Sequence, residues 1–588
     1  MAGSFSGGMN MDGGDARMGS AAGLGFGEGA EISRPAIKKL HDPSITIEEY
    51  MHYAAITRAD DRHHISTQSD DATQVAGFKS LNPFAKKREP AVATTMELTE
   101  KAATNSSPDG RFIITEEEYI QASRAVRTAT WGAVFFLITT DILGPYSTAW
   151  AFRQMGYGPG VVLYTVFAAF AAYGGFLLWK MYLSLDSDKY PLRTYGDIAF
   201  RVYGRTVRHS INGLQSVQLL FNVGIIIVAN GQSLSQMAAK GPNLDQNGAC
   251  FIILCFVWAI AGMLLGQIRT FQRLGYLANF AVWLNVFVII ATMAIVAHTN
   301  PNYTAANKAY MIDPGPVVTT AGPPSDVDFQ GQVVGLMQAV YSYGGAMLFV
   351  EFMAEMKRPF DFWKGMICAQ IFIYSVYMLF GLFVYSYQGQ YTLIIAYQGI
   401  SSYAWQTVAN AFGLTSGLIA ALLYGNVGIK VVYNNVLMEL FRFPSLGSKA
   451  GKLAWVGVVP VYWALAFVIA SAIPQVNNLS GFIAALCILQ FSYTFPPFLH
   501  FGFQIQKAAI QSGEGFNPET GQTIRLDKGL TRYIRGFKQN ILWNTFHIIF
   551  FLGSATTAVL GIYSAIVGMI QSYGEGATTT FSCNSPVL

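Results

Sequence analysis

Asp141-Ile-Leu-Gly-Pro-Tyr-Ser147 interrupts an apolar stretch that opens near Thr130, and Ser342-Tyr-Gly-Gly-Ala346 interrupts another that opens near Val333. Glycine and proline at such places break a helix. Inside lipid, a broken helix leaves backbone donors and acceptors that no water can satisfy, so a break survives only where it is buried in protein or lines a cavity. Two breaks at corresponding places in two halves of a chain therefore point to a ligand site in the middle of a membrane protein.

Composition agrees with a membrane setting. Of the 588 residues, 52% are hydrophobic and 12% charged, with mean hydropathy +0.34; soluble domains carry about 25% charge. A membrane-crossing helix needs about 20 apolar residues, and eleven candidate segments open near Thr130, Gly158, Val207, Ala249, Leu274, Val333, Phe362, Ala404, Leu453, Val476 and Asn540. They are numbered 1 to 11 here, and they predict an all-α polytopic membrane protein. The stretch from Tyr391 to Ile400 is apolar but too short to cross, and reads as an external loop or re-entrant segment.

Charge orients the segments. Residues 1–128 carry net −4 and residues 129–588 net +8. Of the 24 basic residues in the second part, 21 fall in the loops after segments 2, 4, 6, 8 and 10; Arg153, Lys240 and Lys308 fall on the other side. The positive-inside rule then places the N-terminus in the cytoplasm and the C-terminal tail, 572–588, outside. Of the glycosylation triplets, Asn302-Tyr-Thr304 in the long polar loop after segment 5 is the better acceptor; Asn478-Leu-Ser480 is the other on the outer side. The five cysteines show neither metal spacing nor a disulfide framework, and a Cys250–Cys583 bridge is not expected.

Residues 1–112 read as a disordered cytoplasmic tail. Within it Ile45-Thr-Ile-Glu-Glu-Tyr50 carries a capping-box spacing, and Ile114-Thr-Glu-Glu-Glu-Tyr119 repeats it in a juxtamembrane helix expected over 113–129. The first string is either a docking element for a partner or for the protein's own cytoplasmic face, or a transient helix. The loop from His298 to Gln332 has five prolines and no helical period, and is expected to cap the outer face.

The breaks suggest what they hold. Pro145 suits the first position of a new helix, leaving amide donors near Tyr146 to Thr148 facing the cavity. A carboxylate fits there. At the second break, carbonyls around Val340 to Tyr343 lack helical partners and suit an ammonium group. Together they describe an α-amino acid bound by Asp141, Gly144, Tyr146, Ser147, Ser342, Tyr343, Gly344 and Gly345. A packing kink without ligand is the plainer alternative.

Ionisable residues within a membrane are functional candidates by default. Asp141 and Glu351 are candidates for carrying a coupling proton, although Asp141 can equally cap the unwound backbone and Glu351 can brace helices. Lys430 either replaces a bound cation with a fixed charge or snorkels to the interface. No nucleophile with a base, metal cluster, cofactor loop or nucleic-acid-binding feature is evident, so neither an enzyme nor a cofactor protein is expected. No charged ring or repeated filter of a channel is present either.

Five segments from each break give a 5+5 inverted repeat with segments 1 and 6 broken, plus an eleventh helix; this resembles the LeuT-like sodium/amino-acid symporter fold. The run Tyr341-Ser-Tyr-Gly-Gly345, then Glu351, then Met356-Lys-Arg-Pro-Phe-Asp-Phe362 resembles the amino acid/auxin permease family, particularly its fungal amino-acid permeases. The resemblance covers about residues 112–571 and implies a transmembrane amino-acid transporter domain over 130–571, commonly proton-driven. Segment 1 departs from it, with Asp141-Ile-Leu-Gly-Pro-Tyr146 where the family often has Gly-x-x-x-Leu-Pro. The expectation is a proton-coupled permease for neutral amino acids, in the plasma membrane rather than the vacuole. The rival is an amino-acid sensor that signals through its tail.

Overall fold

The computed structural model describes residues 32–33, 41–72, 112–113, 127, 129–239, 249–268, 271–438, 441–444, 446, 448–574 and 580–587. The second capped string at 114–119, the basic triplet Lys86-Lys-Arg88 and nearly all of the expected juxtamembrane helix lie outside these residues.

All eleven apolar segments are helical. Seven are long and apolar enough to cross a membrane: Tyr157–Leu185 (segment 2), Arg205–Ala238 (3), Pro359–Tyr391 (7), Tyr403–Met438 (8), Lys449–Ala472 (9), Val476–Ala508 (10) and Ile541–Gly574 (11). Segment 6 makes an eighth as the bent pair Phe329–Ser342 and Gly344–Glu355, with a 40° bend. Segments 1, 4 and 5 contain shorter apolar helices, Trp131–Thr140, Phe251–Leu265 and Phe280–Val296. Segment 1 is short because its break divides it into Trp131–Ile142, a 3₁₀ turn Pro145–Ser147 and Thr148–Met155.

The two broken segments are tied at one end. Ala129, just ahead of segment 1, donates its N–H to the Glu355 carbonyl at 3.1 Å and accepts from Lys357 N–H at 2.9 Å.

Two loops differ from expectation. The 298–332 loop holds a helix, Tyr303–Tyr310, because the Asn302 side chain accepts from Ala305 N–H at 3.1 Å and caps it. The same carboxamide donates to the Ile400 carbonyl at 3.3 Å, which makes the sequon residue part of the loop's anchorage. The loop lies over the start of segment 2, where Tyr157 and Gly158 N–H donate to Thr320 and Ala321 carbonyls. Gly156 is left-handed (φ 79°), and a Cβ there would stand 2.1 Å from the Gly322 carbonyl oxygen. The other sequon residue, Asn478, is buried and bonded to Gln475 Oε1.

The second difference is the disulfide Cys250–Cys583, which joins the start of segment 4 to the C-terminal tail across 333 residues. The expectation that no cysteines pair is overturned here because the tail folds back. Phe251 N–H donates to the Cys583 carbonyl, and the Ser585 and Ser235 hydroxyls pair at 2.8 Å.

The tail is also more ordered than its composition implies. Ile47–Ala72 is a 26-residue helix, with Thr46 Oγ1 accepting from Glu49 N–H at its start. The stretch forgoes disorder because its charged and aromatic side chains find partners: Glu48 with Arg525 and Arg532, Arg58 with Asp186, and Tyr50 beneath Arg201. The partners lie in the Asp186–Tyr203 region and in the loop between segments 10 and 11, which folds as a hairpin (Gly515–Asn517 with Gln522–Ile524) and the helix Leu530–Gln539.

Burial raises the affinity of Asp186 for a proton, but Arg127, Arg58 and the Leu192 N–H more than offset this and hold its carboxyl below the usual range. Burial likewise opposes, and His41, Arg208 and Arg201 outweigh it, at Asp197. Glu514 is held at about 2: burial raises it, while Gln511 and Leu526 N–H groups and Arg532 lower it further. Folded-state values below the unfolded ones contribute stability that is complete above about pH 4 and is lost as pH falls through the folded values. The protection factors of the amides over 45–62, exchange corrected for the intrinsic rate at each pH, are therefore expected to be unchanged from about pH 7 to 5 and to fall between about pH 4 and 2. Loss of protection already at the higher interval would contradict this assignment.

Candidate functional site

At the first break, Ile142 ends a helix and Gly144 is extended (φ −161°). Tyr377 of segment 7 reaches both sides of the gap. Its hydroxyl donates to the Ile142 carbonyl at 2.7 Å and accepts from Gly144 N–H at 3.2 Å. One side chain thus satisfies an orphan acceptor and an orphan donor that helix geometry leaves behind. Of the amide donors expected to face a ligand, that of Thr148 is taken by the Pro145 carbonyl within the 3₁₀ turn.

Gly144, Tyr146 and Ser147 are partly exposed although they sit mid-segment, and a Cβ on Gly144 would meet nothing within 4 Å. Space is open beside the break. Tyr146 forms one wall: its hydroxyl donates to Asn285 Oδ1 of segment 5 at 3.1 Å, and Ser416 of segment 8 donates to the same oxygen at 2.7 Å. The Tyr397 ring stands edge-on to Tyr146 at 5.0 Å. Asp141 lies in the last turn of the first helix; its side chain is outside the described residues.

At the second break, the Ser342 hydroxyl bonds back to the Gln338 carbonyl at 2.8 Å, and Tyr343 N–H shares the Val340 and Tyr341 carbonyls. Two of the carbonyls expected to be free are therefore partly engaged. Gly344 faces segment 10, where a Cβ would stand 2.5 Å from Ile488 Cγ2. Segment 10 runs there as π turns, Ala484–Ile488 and Gln490–Thr494. Such local widening of a helix is frequent at functional sites.

The breaks meet through tyrosines. The Tyr343 ring lies 5.9 Å from Tyr377 and 6.1 Å from Tyr164. The Tyr164 and Tyr343 hydroxyls are buried without a hydrogen-bond partner of ordinary geometry among the described residues. Tyr377, Tyr164, Asn285 and Ser416 were not singled out from sequence, since nothing local distinguishes them from the other tyrosines, asparagines and serines of the apolar helices.

The remaining candidates lie apart from this cluster. Glu351, one turn beyond the second break, is buried. Gln215 and the Tyr195 backbone lie beside its carboxylate, yet neither oxygen completes a hydrogen bond of ordinary geometry among the described residues. Lys430 is buried in the last turn of the helix Tyr403–Val432. His547 accepts or donates a 2.8 Å bond with the Tyr173 hydroxyl and packs beside His500, as a packing histidine does.

Two broken helices thus lie side by side in a helical multi-pass membrane protein, the first gap spanned by the Tyr377 hydroxyl and the second reached by its ring through Tyr343. The sequence model of the family described as "Transmembrane amino acid transporter protein" matches residues 127–513, and the chain belongs to that family. It is 26% identical over 318 residues to a transmembrane transporter of Gibberella moniliformis, covering 52% of this chain and 61% of that protein. It is 23% identical over 467 residues to a transmembrane transporter of Fusarium pseudograminearum, covering 78% and 87%. To the "N amino acid transport system protein" of Neurospora crassa it is 24% identical over 394 residues, covering 65% and 78%.

Proposed function

We propose that this chain is a secondary active transporter of neutral amino acids, coupled to protons, with all eleven segments crossing the membrane as a LeuT-like 5+5 inverted repeat plus one. The observation that carries the reading is the pair of adjoining breaks, the first spanned by the Tyr377 hydroxyl and the second packed on its ring through Tyr343, with open space beside Gly144. The substrate carboxylate lies against the Tyr146 and Ser147 amides, and the ammonium group against carbonyls at Tyr341 to Tyr343. Asp141 supports this site from the preceding turn, and Ser342, Gly344 and Gly345 shape its second side. The name of the Neurospora relative, an amino acid transport protein, supports the substrate class.

Glu351 is the favoured proton carrier, a buried carboxylate with no cationic partner among the described residues that binds and releases a proton as water reaches it. Asp141 is the second candidate. Lys430 supplies a fixed positive charge in place of a bound cation. The N-terminus is cytoplasmic, and the Cys250–Cys583 bridge supports an external C-terminal tail, because disulfides persist in oxidising surroundings. The plasma membrane is the proposed location, and Asn302 the proposed glycan acceptor.

Binding of a labelled amino acid to the purified protein tests the site. Competition by intact amino acids, and failure of analogues lacking either the carboxylate or the amine, is expected; equal competition by a one-ended analogue would reject the two-break site. Asn285→Leu removes the acceptor that holds Tyr146 and Ser416, each bond worth about 0.5–1.5 kcal/mol. If the two together, about 1–3 kcal/mol, are felt in binding, KM is expected to rise roughly 5- to 140-fold at 1.4 kcal/mol per decade, with kcat little changed. A fall in kcat alone in uptake kinetics would place Asn285 outside the substrate wall.

A further inference from the structure

The docked tail helix carries groups that no transport step uses. Glu48 is 4% exposed and receives Arg525 through Nε at 2.9 Å and Nη2 at 2.6 Å, and Arg532 Nη2 at 3.0 Å. Tyr190 donates to Glu49 Oε1 at 2.6 Å, and the Arg201 guanidinium lies 4.4 Å over the Tyr50 ring. Arg58 pairs with Asp186 at 2.6 Å, and Arg127, just ahead of segment 1, reaches the same carboxylate at 3.5 Å. Arg58 and Arg62 both lie over the Phe360 ring, at the start of segment 7.

One helix therefore meets the 2–3 loop, the start of segment 7 and the 10–11 loop directly, and the approach to segment 1 through Arg127 and the Asp186 carboxylate that Arg58 also binds. Two of these pieces adjoin the ends of the broken segments, which Ala129 and Glu355 already tie by their backbones. Opening the site to this face requires the ends of segments 1 and 6 to part from their neighbours, and the docked helix bridges the parts that must separate. Ile45, Ile47 and Tyr50 add apolar burial, but the bonds across the joint are chiefly ion pairs, which depend on geometry and local charge and can be exchanged without unfolding the core.

We propose that the 2–3 and 10–11 loops form a docking surface for the acidic, aromatic Thr46–Tyr50 element of the same chain, and that its docking latches the pathway shut on the cytoplasmic side. The tail must lift for the inward-open state to form. This rests on the transporter reading above.

The hydroxyls of Thr46 and Thr523 stand 2.6 Å apart across the joint, which places a cysteine pair there. The full-length Thr46→Cys/Thr523→Cys protein in proteoliposomes is expected to lose at least about tenfold in uptake rate when oxidised and to regain it with reductant, the wild type being indifferent to both treatments. An oxidised, cross-linked protein that transports at the wild-type rate would overturn the latch, as would failure of the pair to cross-link. A second arm needs no transport: Glu48→Arg is expected to raise several-fold the labelling of Ser147→Cys by a maleimide supplied from the cytoplasmic side, and the charge swap Glu48→Arg/Arg525→Glu to restore protection. Unchanged labelling in Glu48→Arg contradicts the latch whether or not the chosen amino acid is carried, so failure of the substrate assignment is told apart from failure of the latch.

Discussion

Tyr377→Phe is expected to lower amino-acid uptake by roughly ten- to a hundredfold while leaving protein yield and membrane insertion near normal. The substitution keeps the ring and its packing against Tyr343 and Tyr164 but removes the oxygen that serves both the Ile142 carbonyl and the Gly144 N–H. Each buried group left without a partner costs about 1–3 kcal/mol; with about 1.4–2.7 kcal/mol of that reaching the transport barrier, at about 1.36 kcal/mol per decade, the loss is ten- to a hundredfold. The gap would close on itself or fill with water, and the amides beyond Pro145 would lose their aim. Uptake kinetics of the variant decide the matter: a wild-type rate would mean that Tyr377 only fills space and that the first break is held by something else.

Glu351→Gln is expected to leave substrate binding and exchange intact and to abolish accumulation against a gradient. The amide is close in size and polar, so the packing against segment 3 and the Tyr195 helix is retained, but it can no longer gain and lose a proton. A one-proton symporter can concentrate its substrate about tenfold per unit of pH difference, since one pH unit is worth about 1.36 kcal/mol. The variant should bring the two sides only to equality. Counterflow of labelled amino acid, measured beside net uptake under an imposed proton gradient, separates the two: loss of both would mark Glu351 as a structural brace, and retention of both would move the proton to Asp141.

The parts of this molecule legible in its sequence are those fixed by local chemistry in lipid. Gly144-Pro145 and Gly344-Gly345 declare their breaks because no helix tolerates them cheaply, and the eleven apolar stretches appear as helices because backbone groups in lipid have no other way to be satisfied. The Thr46 cap was legible for the same reason. What closes the breaks was not, because Tyr377 sits more than 230 residues from Gly144 in a helix whose other aromatics face neighbours or lipid. The π turns against Gly344 leave no mark in composition. The docking of the tail was equally hidden, since Glu48 meets Arg525 and Arg532 across 477 and 484 residues and a mixed-charge tail reads as solvated until its partners are placed. Asn302 shows a motif with two meanings: Asn-Tyr-Thr is a sequon and also a helix start, and its side chain caps the helix Tyr303–Tyr310.

The central claim is that the two breaks bind an amino acid and that the protein drives it with protons. Its most direct test is uptake of a panel of radiolabelled amino acids into proteoliposomes holding the full-length protein, with and without an inward proton gradient. Accumulation of neutral amino acids above the external concentration, only when the gradient is imposed, is the predicted result. Accumulation indifferent to the gradient would contradict proton coupling, and specific binding with no accumulation of any amino acid would contradict transport and leave a sensor that signals through its docked tail.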